Sequence, residues 1–378
     1  GGITQHVGAY QVEIPKGKIT FIDTPGHEAF TRMRERGAAA TDIVVLVVAA
    51  DDGIMPQTVE AINHAKAAEV PIVVALNKMD KESANPDRIK QQLSEHNLTP
   101  EEWGGSTMIY PISALKGIGI QELLEGILLE AEMRDLKANP KQRAKGIILE
   151  TKMDKSRGAV ATVILKNGTL KKGQFFVAGT EFGKIKALYN YAGVEVKEAG
   201  PSCPVEVLGF DNLPEAGDDL QVVVSDKSAK EISSKRKEIK RIEQAKKVTK
   251  KVSLDDIYQQ IQDGQKTEFN IIVKADVQGT VDAIKLMIEK LALRIEEVNV
   301  KVIHGAVGAI NENDVVLASA SKAIIAGFNV RPNGKVAQVA KEKGIEIRRY
   351  SIIYEIIEDI KDAVEGMLGP EEREEILG

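Results

Sequence analysis

Ile43-Val44-Val45-Leu46-Val47-Val48-Ala49-Ala50 is an unbroken apolar run in which most residues are β-branched. Such a run is typical of a strand that is buried on both faces of a parallel sheet. Shorter runs of the same kind lie on either side of it, at 19–22, 72–76 and 108–112. Helical patterns fall between the runs, at about 27–40, 57–69, 86–95 and 120–136. This alternation predicts a doubly wound α/β domain, whose ligands bind at the carboxyl ends of the strands.

Three short motifs follow the predicted strands, each at the point where a strand ends. They are Asp23-Thr24-Pro25-Gly26-His27, Asn77-Lys78-Met79-Asp80 and Ser113-Ala114-Leu115, and we assign all of their residues to a nucleotide site. Because parallel strands end at one edge of a sheet, we expect the motifs to converge there. Taken singly, Asp23 could begin a turn and Asn77-Lys78 could be a polar strand end. The ordered set is instead typical of a GTPase that binds GTP or GDP.

The second and third motifs fit the chemistry of guanine. Ionised Asp80 only accepts hydrogen bonds, and guanine presents two adjacent donors to it, whereas adenine has no such pair. Leaving a buried carboxylate unpaired costs free energy, so this residue selects against adenine. Asn77 is expected to tie the loop together and reach the base, and the Lys78 stem to lie against the purine face. The backbone at Ser113 and Ala114 is expected to donate an N–H to the guanine oxygen.

The first motif fits the phosphate end of the same nucleotide. Asp23 is placed to hold Mg²⁺ through water, and Gly26 lets the backbone approach the γ-phosphate closely. His27 comes directly after this glycine and is placed to orient the attacking water, which makes it the candidate catalytic residue. The alternative is that His27 is an ordinary residue of a surface loop or of a helix N-terminus.

The loop that grips the phosphates in such enzymes, G-x-x-x-x-G-K-[S/T], is missing from the sequence. No Gly-Lys pair is followed by Ser or Thr, and the chain begins at Gly1 without an initiator Met. That loop supplies backbone N–H groups and a Lys to the phosphates. We therefore interpret the sequence as a piece of a longer GTPase, and we expect this piece alone to bind GTP poorly and to hydrolyse none.

Four stretches resemble bacterial translation initiation factor two, and the resemblance extends over essentially the whole chain. They are residues 2–10 (GITQHVGAY), 23–30 (DTPGHEAF), 47–58 (VVAADDGIMPQT) and 101–105 (EEWGG). The resemblance implies that Thr4 is the switch threonine that closes on Mg²⁺ and the γ-phosphate. Leu115 stands where many members have Lys, which matters little because this loop acts mainly through its backbone. The family's final barrel, which binds formylmethionyl-tRNA, is expected to be absent.

The resemblance also implies a function. The parent protein would be a translation initiation GTPase that places initiator formylmethionyl-tRNA on the small ribosomal subunit, promotes subunit joining and hydrolyses GTP at the GTPase centre of the large subunit. Its partners would be the ribosome, the initiator tRNA through the absent domain, and other initiation factors. The alternative is a nucleotide-independent ribosome-docking module whose G-like domain is only a scaffold. A phosphate-gripping motif encoded just before Gly1 would favour the enzyme.

Composition agrees with a cytoplasmic protein, and we expect a monomer. The chain has 378 residues, 43% of them hydrophobic, which suffices for two or three ordinary cores. The single cysteine, Cys203, excludes a disulfide framework or a cysteine metal cluster. Apolar runs fall far short of the roughly 20 residues that cross a membrane, so no membrane partner is expected. A net charge of −5 excludes a general polyanion binder, and any contact with RNA must come from local basic surface.

The sequence predicts a multidomain α/β plus β protein with five segments. A partial doubly wound P-loop-type G domain (1–137) precedes a small β-barrel (138–225), in which Asn167-Gly168 is a hairpin signal. A basic helical linker (226–252) has eleven Lys and Arg but four acidic residues within 226–251, and is either a solvated helix face or an RNA-facing surface. A four-stranded parallel α/β/α domain (253–350) opens with a helix-capping signature at Ser253. The start of a long connecting helix (351–378) ends the chain.

Overall fold

The structure is a computed structural model that describes residues 5–248, 267–295 and 298–368. The expectations for Thr4, for the cap at Ser253 and for the segment after residue 368 lie outside these ranges. Among the described helices, none combines the length and the apolar character needed to cross a membrane.

The first part of the chain contains five strands and four helices. The strands are β1 (Gly8–Ile14), β2 (Gly17–Asp23), β3 (Val44–Ala49), β4 (Ile72–Asn77) and β5 (Ile109–Pro111). The helices are α1 (Thr31–Ala40), α2 (Pro56–Ala67), α3 (Pro86–Glu95) and α4 (Ile120–Met133). Strands β3, β4 and β5 form a parallel sheet in that order.

Helices pack on both faces of this parallel sheet, as the apolar runs predict, although Val47 of β3 is 59% exposed. Leu46 and Leu76 pack against α2 and α3 on one face. Val73 and Ala75 pack against α4 on the other face. Since neighbouring residues of a strand point to opposite faces, a strand covered on both must be apolar throughout. The doubly wound prediction is thereby confirmed.

One strand prediction differs from the structure. The run at 19–22 was expected to join the parallel sheet, but β2 pairs antiparallel with β1 through the turn at Pro15-Lys16. Within the described residues β2 has no other strand partner, and β3 pairs only with β4. A cavity of about 580 Å³, lined mostly by apolar side chains, separates β2 from β3. Within the described residues, the β1–β2 hairpin is therefore the only strand pairing of the 19–22 run.

The second part is a closed six-stranded antiparallel barrel, which confirms the barrel prediction. The strands of this part are β6 (Lys145–Asp154), β7 (Gly158–Asn167), β8 (Leu170–Lys171), β9 (Phe175–Ala178), β10 (Glu181–Asn190), β11 (Glu195–Val196), β12 (Glu198–Ala199), β13 (Pro204–Phe210) and β14 (Asp219–Val223). The order β10-β13-β7-β6-β14-β9 closes by pairing of β9 with β10. The interior is apolar, and Phe176 and Phe210 meet edge to face with ring centroids 4.8 Å apart.

The hairpin expected at Asn167-Gly168 does not form. The segment connects β7 to β8, but β8 pairs with β12. Gly168 has φ +72°, and its N–H donates to the carbonyl of Asn139 at 3.1 Å. The Asn167 side chain accepts from the Asn139 N–H at 2.8 Å. This dipeptide therefore makes a tight turn, as its residue types require, but pins the incoming chain to the barrel instead of joining two paired strands.

The basic linker begins as helix α5 (Asp226–Val248) and is docked on the barrel. Ser233 donates to the carbonyl of Thr180 at 2.6 Å, and Arg236 donates to that of Gly179 at 2.8 Å. Lys237 pairs with Glu181 at the start of β10, and Lys240 pairs with Glu215 in a barrel loop. Part of the positive charge of this helix is therefore paired with acidic residues of the barrel.

The third part is a four-stranded parallel sheet with helices, as predicted. Its strands are β15 (Thr267–Ala275), β16 (Val298–Val307), β17 (Ile324–Phe328) and β18 (Ile347–Tyr350), in the order β16-β15-β17-β18. Its helices are α6 (Gln278–Ala292), α7 (Glu312–Ser321) and α8 (Gly334–Glu342), followed by α9 (Ile353–Leu368). Ile356, Ile360 and Val364 bury the apolar face of α9 in the core of this part. The described part of the predicted final helix is thus docked on the third part.

The loop that carries the first motif (residues 23–30, here called the switch loop) and the start of α1 pack directly on the third part. Phe30 and Met33, at and just after the start of α1, belong to the same buried cluster as Ile271 and Ile356. The N–H of Gly279, in the first turn of α6, donates to the carboxylate of Glu150 in β6 at 3.0 Å. The three parts therefore meet beside the loop that carries the first motif.

Candidate functional site

The loops after β4 and β5 are joined by one amide side chain. Asn77 ends β4, and its Oδ1 accepts from the N–H of Lys78 at 2.8 Å and from the N–H of Ala114 at 3.0 Å. Lys78 has φ +65°, a left-handed conformation that is strained for a residue with a side chain. The second and third motifs are thus held together in the described chain, with Asn77 tying the loops as expected.

Asp80 is oriented by the neighbouring loop. The hydroxyl of Ser113 donates to Asp80 Oδ1 at 2.6 Å, and the N–H of Lys116 donates to that hydroxyl at 3.2 Å. The hydrogen bond from Ser113 is the largest influence that lowers the pKa of Asp80 below its ordinary value. The carboxylate therefore stays ionised, as an acceptor for adjacent donors of a ligand must be.

The Lys78 side chain is anchored by two acidic residues that sequence reasoning did not assign to the site. Its ammonium lies 2.8 Å from Asp52 and 3.1 Å from Asp51, and these contacts raise the pKa of Lys78. Lys81 also pairs with Asp51. The anchored ammonium fixes the direction of the Lys78 stem. The signal that could have found this pair is its position directly after β3, at the same sheet edge as the other motifs.

The backbone donors of the third motif are partly engaged. The N–H of Ser113 donates to the carbonyl of Ile118 at 2.9 Å, and that of Ala114 donates to Asn77. The N–H of Leu115 has no partner within the described residues, and its side chain is 88% exposed. Met79 donates its N–H to the carbonyl of Ile112 at 3.2 Å, which fixes the second loop from below. The donation to a base oxygen that was expected of Ser113 and Ala114 is therefore not available in this arrangement, because both N–H groups are engaged, and the N–H of Leu115 is the remaining candidate donor.

The first motif lies at the end of β2, around a cavity of about 520 Å³. Asp23, Thr24, Pro25 and Gly26 line the cavity, and the Asp23 carboxylate has no side-chain partner in the described chain. A hard cation such as Mg²⁺ prefers oxygen ligands of this kind and usually keeps several of its waters. Within the described residues no three acidic, His or Cys side chains cluster in a metal-binding arrangement. A single carboxylate with bound water and phosphate oxygens fits Mg²⁺ better than it fits an all-protein metal site.

His27 caps the short turn that follows it. Its Nδ1 accepts from the N–H of Ala29 at 2.9 Å. Burial is the main cause that lowers its pKa below the usual value, and the nearby Arg34 and Lys290 act in the same direction. The imidazole therefore remains neutral at pH 7. The predicted roles of His27 and Gly26 stay predictions.

Arg34 holds the switch loop from inside, and sequence reasoning missed it. Its Nη1 donates to the carbonyls of Pro25 at 2.8 Å and His27 at 2.6 Å. Its Nη2 donates to Glu60 in α2 at 2.8 Å. The side chain is 8% exposed, and its Nε has no partner within the described residues, so the guanidinium acts through Nη1 on the loop and through Nη2 on α2. A basic residue one turn into the helix after the motif is the only sequence signal.

The expected convergence of three motifs is met in part. Hydrogen bonds join the second and third motifs, whereas the first lies at the end of β2, beyond the cavity that separates β2 from β3. The reason is that β2 belongs to the β1 hairpin and not to the parallel sheet. Thr4 lies outside the described residues, so its expected role is untested.

Comparison with known families places three family models along the chain. Elongation factor Tu GTP binding domain matches residues 1–132, elongation factor G domain 2 matches residues 143–223, and translation-initiation factor 2 matches residues 243–361. The first two matches coincide with the α/β part and the barrel, and the third covers most of the second α/β part.

Whole-chain relatives are also found. The chain is 58% identical over 378 residues to translation initiation factor IF-2 of Caldanaerobacter subterraneus subsp. tengcongensis, and covers 53% of that protein. It is 60% identical to translation initiation factor IF-2 of Thermoanaerobacter sp. (strain X514), and covers 54% of it. The chain thus spans about half the length of the curated relatives it matches.

A solved structure shares the fold. The crystal structure of GDP-bound aIF5B from Aeropyrum pernix aligns with a TM-score of 0.51 and 24% identity, covering 97% of this chain and 70% of that chain. At this level of identity the likeness concerns the arrangement of the domains and not their ligands.

Proposed function

We propose that the chain belongs to the translation initiation factor 2 family and that the full-length protein is a GTPase that acts in translation initiation. The proposal includes placing initiator formylmethionyl-tRNA on the small ribosomal subunit, promoting subunit joining, and hydrolysing GTP on the ribosome. It also takes the protein to be cytoplasmic and monomeric, with other initiation factors among its partners. These finer statements rest on family membership and on the chemistry of the site.

The observation that carries the proposal is the guanine-reading surface around Asp80. Its carboxylate is ionised and oriented by Ser113, the two loops are tied by Asn77, and the Lys78 stem is fixed by its acidic neighbours. A preformed acceptor for two adjacent donors discriminates guanine from adenine, because adenine would leave the carboxylate unpaired.

The phosphate end of the proposed mechanism depends on the first motif. Gly26 approaches the γ-phosphate, and His27 orients the attacking water. Asp23 and Thr4 are the proposed Mg²⁺ residues, and a bound Mg²⁺ would neutralise phosphate charge. The loop is kept in shape by Arg34, which grips the carbonyls on both sides of Gly26. That grip limits the motion of the backbone on both sides of Gly26.

Replacement of His27 tests the catalytic part of the proposal. In the full-length gene product, His27→Ala is expected to leave GTP affinity nearly unchanged and to reduce ribosome-stimulated hydrolysis about 100-fold or more, because only the positioning of water is lost. The measurement is phosphate release with and without ribosomes. His304→Ala, which removes an exposed imidazole on β16, is the matched control and should hydrolyse at the parent rate. A His27→Ala variant as fast as the parent would make His27 an ordinary loop residue.

A further inference from the structure

The first turn of α9 reaches the loop that carries His27. The rings of Tyr354 and His27 meet edge to face, with centroids 4.7 Å apart and an interplanar angle of 85°. Ile353 and Tyr354 line the same 520 Å³ cavity as Asp23 and Gly26. Ile353 is buried in the core that also holds Phe30, so the start of α9 and the switch loop share one packed base. A residue from the end of the chain therefore touches the proposed catalytic side chain.

The hydrogen bond that His27 accepts determines which of its two ring nitrogens carries the proton. The Ala29 N–H can only donate, so Nδ1 must be the acceptor, and the neutral imidazole carries its proton on Nε2. In this position Nε2 can donate a hydrogen bond but cannot accept one from a water molecule. A ring that is to take a proton from the attacking water, or to align it as an acceptor, must first leave this orientation.

The surroundings restrict motion of the backbone more than motion of the ring. Ala29 and Phe30 are each 3% exposed and belong to the core of the third part, and Arg34 holds the carbonyl of His27 at 2.6 Å. Rotation of the imidazole is opposed by the Ala29 hydrogen bond and by two edge-to-face rings, of which Tyr354 at 4.7 Å between centroids is nearer than Phe30 at 6.4 Å. An edge-to-face pair of this geometry adds stabilisation beyond the burial of its area.

We propose that Tyr354 is a positioning residue that holds His27 in a resting orientation, so that GTP hydrolysis requires the first turn of α9 to move away. The inference rests on the proposed function of His27 and adds to it the element that restrains it. Because α9 belongs to the third part, a displacement of this helix would be transmitted to His27 through the contact between the rings of Tyr354 and His27. Tyr354 itself contacts no reacting atom in this account.

The test in the full-length gene product is the basal rate of GTP hydrolysis without ribosomes. Tyr354→Ala is expected to raise this rate by roughly two- to tenfold, the range set by the loss of one aromatic pair. Tyr354→Phe keeps the ring and should restore the low parent rate. Ile352→Ala changes an exposed neighbour that does not line the cavity, and should leave the rate unchanged. An unchanged or lower rate in Tyr354→Ala overturns the inference.

A double variant separates this inference from the proposed function. Tyr354→Ala should have no accelerating effect in a His27→Ala background, and acceleration that persists there overturns the inference, because it would act through another residue. Failure of the proposed function has a different signature, which is a His27→Ala variant that hydrolyses at the parent rate on ribosomes. If His27→Ala is inactive and Tyr354→Ala is unchanged, the function stands and the inference falls.

A second readout uses the 378-residue chain and does not depend on hydrolysis. NMR resonances of the His27 ring carry a ring-current shift from Tyr354 at this distance. Tyr354→Ala should remove that shift and raise the pKa of His27 towards its ordinary value, because burial is the main cause of its lowering. Tyr354→Phe should keep both. Resonances and pKa that do not move in Tyr354→Ala overturn the contact on which the inference stands.

Discussion

At the scale of single residues, Asp80 is the side chain on which the proposed base selection depends. In the full-length protein, Asp80→Asn should weaken GTP binding at least about tenfold, because a charged acceptor for guanine is replaced by a neutral amide. The measurement is equilibrium binding of a fluorescent GTP analogue. Asp87→Asn changes an exposed carboxylate in the first turn of α3 and should bind as the parent does. Equal affinity for the two variants would show that the base is read elsewhere.

Gly26 offers a test in which stability and function separate. A Cβ at this position meets nothing within 4 Å, so Gly26→Ala should leave the melting temperature of the chain unchanged. It should still impair GTP hydrolysis by the full-length protein, because the added methyl stands where the backbone is proposed to approach the γ-phosphate. Thermal unfolding and phosphate release are the two measurements.

The contrasting variant for Gly26 is Gly279→Ala. A Cβ at Gly279 would lie 2.1 Å from Met33 Cε and 2.7 Å from a carboxylate oxygen of Glu150. Overpacking of this kind costs about 1–3 kcal/mol, so this variant should melt at a lower temperature. If Gly26→Ala lost stability to a similar extent, packing and not ligand approach would explain the glycine.

Local chemistry decided which site residues could be predicted. Asp80, Asn77 and Ser113 could be proposed from the sequence because each stands next to a strand end, and hydrogen bonds hold their loops together. Arg34 could not be found in the same way. It acts on the carbonyls of residues seven and nine positions earlier, and only the folded turn brings its guanidinium to them.

At the scale of elements, the hydrophobic period predicted the strands that are buried on both faces. β1 was missed because it is a half-exposed hairpin strand in which Val12 and Ile14 alternate with Gln11 and Glu13. That alternation was the available signal. The hairpin predicted at Asn167-Gly168 was wrong, since a left-handed glycine is typical of a turn but does not determine which strand pairs with the one that follows.

One element contact predicts a dependence on pH. His6 Nε2 lies 3.1 Å from Asp276 Oδ2, and this hydrogen bond is the main cause that raises the pKa of His6, although burial opposes it. The pKa of Asp276 is lowered: burial acts to raise it, but His6 and Asn329 outweigh that effect. Protonated His6 therefore stabilises the contact between the first part and the third part below about pH 6.5. That contribution is lost as the pH rises through the raised pKa of His6.

An NMR titration of the chain checks this dependence. The His6 imidazole should titrate above the ordinary value of a histidine, and Asp276→Asn should bring it back, because the negative partner is removed. Since the side chains are 43% and 30% exposed, the pair should contribute no more than about 1 kcal/mol to docking. An unchanged His6 pKa in Asp276→Asn would mean that another group sets the titration.

At the scale of the whole molecule, the junction of the three parts was beyond sequence reasoning. Arg36 in α1 pairs with Asp282 in α6, and Glu150 in β6 caps the start of α6. These partners are more than a hundred residues apart, and no motif or period connects them. The sequence predicts each domain from its own pattern, whereas the contacts between domains depend on the folded surfaces.

The charge distribution of the whole molecule predicts how it should bind small ribosomal subunits. Three basic residues of α5 bond to the barrel, namely Arg236, Lys237 and Lys240. Three others of the same helix are exposed, namely Lys227, Lys235 and Arg241. We propose weak binding through phosphate contacts of the exposed group. Sedimentation binding over a salt series should show affinity falling as salt rises.

Matched charge changes separate the two groups of α5. Lys235→Gln with Arg241→Gln should weaken subunit binding and reduce its salt dependence, because phosphate contacts are removed. The control is Lys230→Gln, which removes a cation of the same helix that already pairs with Asp226. Affinity that is independent of salt, or equal in the two variants, would contradict an electrostatic contact through these residues.

The cavity between β2 and β3 has a consequence for solubility. Within the described residues neither strand has a partner on the side that faces the cavity, and Val47 of β3 is 59% exposed. An ordinary sheet edge offers a foreign strand one row of hydrogen bonds, whereas this slot offers two rows and an apolar lining. A strand from a partly unfolded second copy would be paired on both sides at once. Aggregation of this chain is therefore expected to start from a gap inside its first domain, while the closed barrel offers no such opening.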